Sequence, residues 1–258
     1  MHAEEFIPAQ DGGHCAAQGK PSERLLRKIA QAMPTMQHYA HCLWMPERAS
    51  VAYPIYLRTM HMVVRSAVPL MTAAEAQARL RASDPLCERL AGYYASHALE
   101  EKGHDEWLRE DLAATGDPDQ DVKHAIPSPV IASMVGAQYY WLHHYHPVSL
   151  LGHIAALECN HPPIGFANHL AAVTGFAPSA FRAIARHEVL DQHHRREFIA
   201  LIDSLPLTPR HERMIGLSAL HTLQMGIDVL RQIAERCKPV HRSAGLTVAV
   251  EEQAVSKP

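Results

Sequence analysis

Apolar residues recur along the chain at three- and four-residue intervals, in segments separated by breaks rich in proline and glycine. This spacing is typical of helices that bury one face, and the alternation expected of strands is scarce. The pattern therefore predicts an all-α protein whose long helices pack around a shared interior. The predicted helices cover residues 22–46, 50–67, 72–80, 84–115, 128–145, 148–160, 163–174, 178–203 and 208–236.

Three of the predicted helix starts carry a capping signal. Ser22 is placed to cap the first helix, and Thr72 with Glu75 matches a capping box. Thr208 followed by Pro209 opens the final helix, with proline in its first turn.

The penultimate predicted helix carries polar residues where a core-facing stripe should be apolar. His187, Asp191 and His194 follow each other on this stripe, between Ile184 and Phe198. At about 100° per residue, the three side chains fall within a narrow arc. Burying an unpaired carboxylate and two imidazoles would cost several kcal/mol. A bound metal ion offsets this cost, so the spacing predicts metal ligands.

The long predicted helix around residue 100 shows the same anomaly. His97, Glu101 and His104 lie on its inward stripe, and Glu101 with His104 forms an E-x-x-H pair one turn apart. Glu100 falls on a neighbouring face, so Glu101 is the preferred ligand. His97 lies one turn before Glu101 and is a candidate to orient a ligand.

Glu158 supplies the third inward carboxylate, directly after a largely apolar run over 150–157. His161 makes a second E-x-x-H pair with Glu158 and is a further candidate to orient a ligand. The double proline at 162–163 predicts that the helix ends or kinks there.

The three helices together supply three carboxylates and three imidazoles. Such a set suits a pair of non-haem iron or manganese ions, because thiolates are absent and the nitrogen content is high for calcium. Helix-borne ligands that converge inside a bundle are a known way to build dinuclear carboxylate sites. The predicted metal ligands are Glu101, His104, Glu158, His187, Asp191 and His194.

Composition narrows the class of protein further. The 258 residues fit one domain over 21–237, with a flexible segment at 1–20 and a tail at 238–258. A net charge of −3 without a basic block predicts no nucleic-acid partner. No apolar run reaches the roughly 18 residues that span a bilayer, and no signal peptide is recognisable, so we expect a cytoplasmic protein. The five cysteines include no C-x-x-C pair, which argues against a thiolate zinc site.

The order of these motifs resembles the haem-oxygenase-like di-iron oxidases and oxygenases. The chain carries E-x-x-H, then a single Glu, then H-x-x-x-D-x-x-H, and the resemblance covers about residues 25–236. The ligand spacing is nearest to that of the alkene-forming fatty-acid decarboxylase of this family. The resemblance implies a haem-oxygenase-like helical bundle that binds two Fe(II) ions instead of haem and uses O₂.

The resemblance also implies the kind of reaction. Members of the family oxidise small carboxylic acids and amino acids by decarboxylation, desaturation, C–C cleavage or N-oxygenation. We therefore expect a small carboxylate substrate and O₂ as partners. The electron donor is unassigned, and a homodimer is compatible with the sequence. Four aromatic side chains are candidates to line the substrate pocket: Tyr139, Tyr140, Trp141 and Tyr145.

The same residues are also compatible with other functions. A ferritin-like site would use Glu158 and His161 as its second motif, and a metal-storage or metal-sensing protein would keep the same ligands without oxidising a substrate. A metal-independent, thiaminase-like enzyme would need a nucleophile such as Cys159. Haem binding would need axial ligands such as His38 and His41.

Overall fold

The structure, a computed structural model, describes residues 19–118, 121–160 and 162–237. Within these ranges the chain forms ten α-helices, two short 3₁₀ helices and no strand, which confirms the all-α class. The α-helices are α1 (Pro21–Leu43), α2 (Pro46–Val64), α3 (Ala67–Arg79), α4 (Cys87–Glu100), α5 (His104–Ala114), α6 (Pro129–His144), α7 (Leu150–Glu158), α8 (Phe166–Thr174), α9 (Arg182–Ser204) and α10 (Pro209–Arg236). The 3₁₀ helices span Pro147–Ser149 and Pro178–Phe181.

The structure confirms only one of the three predicted helix caps. Thr208 caps α10, and its hydroxyl accepts a hydrogen bond from the backbone N–H of His211 at 3.3 Å. Ser22 lies inside α1, and its hydroxyl donates to Asp203 at 2.9 Å instead of capping the helix. Thr72 lies inside α3, where its hydroxyl donates to a backbone carbonyl one turn earlier. Both hydroxyls therefore have tertiary or local partners that the cap motif does not anticipate.

A single predicted helix over 84–115 is wrong, because the chain breaks between α4 and α5. Gly103 adopts a φ of 88°, in the left-handed region that favours glycine. Glu101 therefore follows the last residue of α4, and His104 is the first residue of α5. The predicted inward stripe nevertheless stays buried on both sides of the break. Its buried members are Leu90, Tyr94, His97, Glu101, His104, Leu108 and Leu112.

The core consists of apolar clusters that meet around a polar region. One cluster includes Tyr94 of α4 and Phe198 of α9, and another includes Leu108 of α5 and Ile184 of α9. A third joins α2, α6 and α10. The α4–α5 segment and α9 each run from the first cluster to the second. Their buried histidines and carboxylates lie where these two apolar clusters meet.

Buried carboxylates fix the position of α9 against its neighbours. Asp111 on α5 is fully buried and accepts a hydrogen bond from the backbone N–H of Ala183 at 2.8 Å, in the first turn of α9. Glu188 on α9 accepts hydrogen bonds from the backbone N–H groups of Gly165 at 2.8 Å and Ala167 at 2.7 Å, at the start of α8. Each carboxylate satisfies helix-start N–H groups that the local sequence leaves without a side-chain cap. Segments distant in the sequence are thereby held in register.

Close packing of α7 against α10 positions the third ligand-bearing helix. A Cβ on Gly152 would lie 2.1 Å from the carbonyl oxygen of Ile215 and 2.7 Å from the backbone nitrogen of Ala219. These distances are far shorter than any van der Waals contact, and both atoms belong to the backbone of α10. Glycine at this position therefore sets the separation of the two helices.

The terminal segments predicted at 1–20 and 238–258 lie almost wholly outside the described residues. The domain boundaries over 21–237 therefore stay a prediction. Among the helices that the structure describes, none is long and apolar enough to cross a membrane.

Replacing Gly152 by alanine is expected to destabilise the fold by roughly 1–3 kcal/mol or more, because the backbone of α10 must move to admit the methyl group. The matched control is Gly92→Ala, also within a helix, where a Cβ would meet nothing within 4 Å. That control should gain about 0.5–1 kcal/mol from the higher helix propensity of alanine. Urea unfolding of both variants gives the two free energies, and a Gly152→Ala variant as stable as the natural chain would contradict the packing argument.

Candidate metal centre

Four segments bring titratable side chains together at the meeting point of the two apolar clusters. The end of α4, the start of α5, the end of α7 and the middle of α9 all contribute. The side chains form two groups, and within each group one ligand atom from every residue lies within 4.8 Å of the others. The first group is His97, Glu101, Glu158 and His194, and the second is Glu101, His104 and His187.

The first group is held by contacts between α4, α7 and α9. His97 Nε2 donates a hydrogen bond to Glu158 Oε1 at 2.8 Å. His194 Nδ1 lies 3.7 Å from Glu158 Oε2 and 3.8 Å from Glu101 Oε1. The Nε2 atom of the same imidazole lies 3.3 Å from Glu100 Oε2. The His194 ring thus stands between Glu100 on one side and the paired carboxylates on the other.

The second group joins the turn after α4 to the first half of α9. His104 Nδ1 lies 3.0 Å from Glu101 Oε2. His187 Nδ1 donates to the backbone carbonyl of Ala183 at 2.8 Å, which leaves Nε2 with its lone pair available to a metal ion. Backbone hydrogen bonding of this kind is a common way to fix the tautomer of a histidine ligand.

Glu101 belongs to both groups and divides its two oxygens between them. Oε1 faces His194 and Oε2 faces His104. A carboxylate in this position can bind one cation through each oxygen. The arrangement therefore suits two metal ions on either side of a single bridging residue.

Asp191 stands beside both groups without belonging to either. It is buried and lines the same cavity as Glu101, Glu158 and His187. Burial, followed by the charges of Glu158 and Glu101, raises the pKa of Asp191 to about 8. In the absence of a cation this carboxyl group therefore retains a proton at neutral pH, and a bound cation would favour its ionised form.

Two of the candidate imidazole ligands, His187 and His194, are in the form that binds metal. Burial, with a contribution from the charge of His97, lowers the pKa of His194 to about 4. Burial also lowers the pKa of His187. Both rings are therefore neutral at physiological pH, as a histidine ligand must be.

A metal ion fits this site because several buried polar atoms lack another partner. Four of them make no hydrogen bond of normal geometry to any residue that the structure describes, and His104 Nδ1 is among these although it lies close to Glu101. Leaving one such atom unpaired costs roughly 1–3 kcal/mol. All four belong to the first two groups, and their nitrogen and carboxylate chemistry suits iron. These atoms are His97 Nδ1, His104 Nδ1, Glu158 Oε2 and His194 Nδ1.

A third group of possible ligands has a structural role instead. Asp84, Cys87 and His146 place their donor atoms within 4.8 Å of one another. His146 Nδ1 accepts the backbone N–H of Val148 at 3.1 Å, and its Nε2 donates to Asp84 at 3.1 Å. Both ring nitrogens are thus engaged in the tautomer that caps the 3₁₀ helix at 147–149, so neither offers a lone pair to a metal ion.

A cavity of about 190 Å³ opens beside the two groups. Four predicted ligands line one part of it, and Tyr56 and His153 are its other polar lining residues. The remaining wall comes from Pro162 and from apolar side chains of α2, α3, α5, α7 and α9. These include Met60, Val63, Leu70, Met71, Leu150, Ile154 and Ile184.

The prediction that four aromatic residues between positions 139 and 145 line the substrate pocket is wrong. None of these residues lines the cavity, and Tyr140 is largely exposed. Tyr56 of α2 is the aromatic residue that lines the cavity. The four residues of that prediction are Tyr139, Tyr140, Trp141 and Tyr145.

The structure brings all six predicted ligands to one place, although their binding of metal stays a prediction. His97 was expected only to orient a ligand, and its hydrogen bond to Glu158 fits that role. His161 lies outside the described residues. Glu100 was set aside on grounds of helical face, yet its approach to His194 depends on how α4 packs against α9. The sequence offers no local signal for that contact.

Comparison with known families identifies the class of protein. A family model described as "iron-containing redox enzyme" matches residues 55–227, which is more than half of the chain. The chain belongs to this family of iron-containing redox enzymes. The matched range contains all six predicted ligands. No curated protein sequence matches the chain.

Solved structures confirm the haem-oxygenase-like fold. A domain of unknown function with that fold from Shewanella denitrificans OS217 aligns with a TM-score of 0.72 and 16% identity, over 83% of this chain and 92% of that one. A TenA homologue from Pseudomonas syringae pv. tomato DC3000 aligns at 0.57 and 13%, over 84% and 92%. A CADD-like protein of unknown function from Nostoc punctiforme PCC 73102 aligns at 0.52 and 11%, over 83% and 96%. At these identities the likeness concerns the fold alone.

Replacing Glu101 by glutamine is expected to remove most of the iron that the protein binds. The amide keeps the size of the side chain but lacks the charge and the second anionic oxygen that both groups share. The matched control is Glu88→Gln, which changes an exposed carboxylate on the same helix α4 and should leave the iron count at saturation unchanged. Iron per chain is measured by equilibrium dialysis against Fe(II) without oxygen. Equal iron in Glu101→Gln and the natural chain, or equal losses in both variants, would contradict the bridging role.

Proposed function

We propose that this family member is a non-haem di-iron oxidoreductase that uses O₂ to oxidise a small carboxylic acid with an apolar chain. The observation that carries the proposal is the division of the two Glu101 oxygens between two ligand groups. A single metal ion would need only one of those groups. The family description supports iron as the metal.

Each ion would be held by residues of one group. One ion would be held by Glu101, His104 and His187. The other would be held by Glu101, Glu158 and His194. Manganese would suit the same donor atoms, so the choice of iron rests on the family. When bound, the iron pair would supply the electrons and binding positions through which O₂ is reduced.

Neighbouring residues would position these ligands. His97 donates to Glu158 Oε1 and so turns Oε2 of that carboxylate towards His194. Glu100 lies behind His194 Nε2, in the arrangement of carboxylate, histidine and metal that is common around ligands. Asp191 lines the cavity beside both groups, where its ionised form would add a third negative charge to the site.

The cavity supports an acid with an apolar chain as the substrate. No lysine or arginine is among the described residues that line it, so no side-chain cation is available to pair with a substrate carboxylate. Two divalent ions would carry a charge of +4 against −3 from Glu101, Glu158 and Asp191, which leaves positive charge for that carboxylate. The apolar wall would then bury an alkyl chain and keep water away from the reacting atoms. A fatty acid fits these features better than a polar amino acid.

The structure gives less support to the other functions. Burial, with the charge of Glu158 adding to it, raises the pKa of Cys159 to about 12, so this thiol is poorly suited to act as a nucleophile. It is also not among the residues that line the cavity. His38 and His41 are exposed on α1, away from the cavity wall, which does not suit axial ligands of haem. A ferritin-like pair would rely on His161, and α7 already ends at Glu158.

The test separates an oxidase from a storage protein. Protein loaded with Fe(II) without oxygen is mixed with O₂, with and without medium-chain fatty acids and amino acids, while O₂ consumption and absorbance are followed. We expect about two irons per chain and an O₂ uptake that a fatty acid accelerates. Uptake that is indifferent to every acid would favour storage or sensing.

The variant for this experiment replaces both Asp191 and His194 by alanine. It should lose iron and the substrate-dependent uptake of O₂ together. The control is His193→Ala, which changes an exposed histidine paired with Glu197 on the opposite face of α9. Unchanged iron uptake in the double variant would overturn the proposed function.

A further inference from the structure

His153 is a buried imidazole in the cavity wall that the metal centre does not use. It is the one polar residue in the apolar run over 150–157, and only 5% of its surface is exposed. It belongs to neither ligand group, although it lines the same cavity. A histidine in such a wall costs stability unless its ring nitrogens have partners.

One of its ring nitrogens is held by a chain of hydrogen bonds from α6 and α10. Ser218 Oγ donates to Gln138 Oε1 at 2.9 Å, and Gln138 Nε2 donates to Thr222 Oγ1 at 3.4 Å. Thr222 Oγ1 lies 3.0 Å from His153 Nδ1. Gln138, Ser218 and Thr222 are all buried, so the chain is shielded from water.

The direction of this chain assigns the proton on the imidazole. Thr222 Oγ1 accepts a hydrogen from the Gln138 amide, and His153 Nδ1 is the one remaining hydrogen-bond partner of this hydroxyl among the described residues. The hydroxyl hydrogen is satisfied only if it points to His153 Nδ1, so we assign the hydrogen bond in that direction. The ring nitrogen that accepts a hydrogen bond carries no proton in a neutral imidazole, and Nε2 must then carry it. Burial lowers the pKa of His153 to about 4, consistent with a neutral ring.

The Nε2–H group has no hydrogen-bond partner among the residues that the structure describes. The other polar lining residues are Tyr56 and the ligand candidates, and the rest of the described wall is apolar. A bound plain alkyl chain would leave this donor unpaired, which costs roughly 1–3 kcal/mol. An oxygen atom on the chain of the bound molecule would satisfy it.

We infer that His153 is a specificity-determining residue that donates a hydrogen bond to an oxygen in the middle of the substrate chain. The inference rests on the proposed function and narrows its substrate class to carboxylic acids that carry a hydroxyl or keto group several carbons from the carboxylate. His153 and Glu158 are five residues apart on α7, a rise of roughly 7.5 Å along the helix. The chain oxygen would therefore lie well away from the metal-bound end.

The experiment measures binding and not turnover. Protein loaded with Fe(II) is kept without oxygen and titrated calorimetrically with decanoate and with decanoates that carry one hydroxyl on the fourth to eighth carbon. We expect at least one mid-chain hydroxy acid to bind about tenfold more tightly than decanoate, the effect of one well-placed hydrogen bond. His153→Phe, which removes the donor but keeps an apolar ring, should abolish that preference.

Two further variants guard against a general effect of altering the cavity. Thr222→Val leaves His153 in place but removes the group that holds Nδ1, and should weaken the preference. Ile154→Val changes the same wall without removing a hydrogen-bond donor, and should retain it. Thermal unfolding checks that each variant is folded.

The outcomes separate this inference from the proposed function. If every hydroxy acid binds no better than decanoate, or if His153→Phe keeps the preference, the inference is wrong while the oxidase proposal stands. Equal binding would mean that water satisfies the donor. If the protein takes up no iron, or if no acid binds to the iron-loaded protein, the proposed function itself fails.

Discussion

The rest of the structure depends on one constraint, which is that a group of charged and polar side chains is buried between two apolar clusters. Each of these side chains needs a partner that offsets the cost of its burial. Glu101 is at the centre of the group, with one oxygen facing His194 and the other facing His104. Neighbouring hydrogen bonds satisfy only part of this group, and four of its atoms lack a partner in the described part of the chain. Cations on both sides of Glu101 would compensate three of them, on His104, Glu158 and His194, so the fold and the metal centre are linked.

The helices are arranged so that this group stays in place. Gly103 breaks the α4–α5 segment between Glu101 and His104, while Asp111 and Glu188 tie α9 to α5 and α8. Gly152 allows α7 to approach the backbone of α10 closely, which places the end of α7 against the site. None of these four residues is a candidate ligand. They act on the site by fixing the helices that carry the ligands.

Much of the site was predictable because helical periodicity alone reveals polar residues on a buried stripe. His187, Asp191 and His194 lie on a regular helix, and Glu158 follows an apolar run, so their inward direction follows from local sequence. The break at Gly103 was not predictable in this way, because a single glycine is tolerated inside many helices. The contact of Glu100 with His194 and the buried network that holds His153 join helices far apart in the sequence. Such contacts depend on packing, which periodicity does not describe.

The central claim is that two metal ions flank Glu101, and diffraction at the iron absorption edge tests it most directly. Crystals grown with Fe(II) in the absence of oxygen should show two anomalous peaks within bonding distance of Glu101, one on the side of His104 and His187 and one on the side of Glu158 and His194. A single peak, or peaks that do not contact Glu101, would contradict the account.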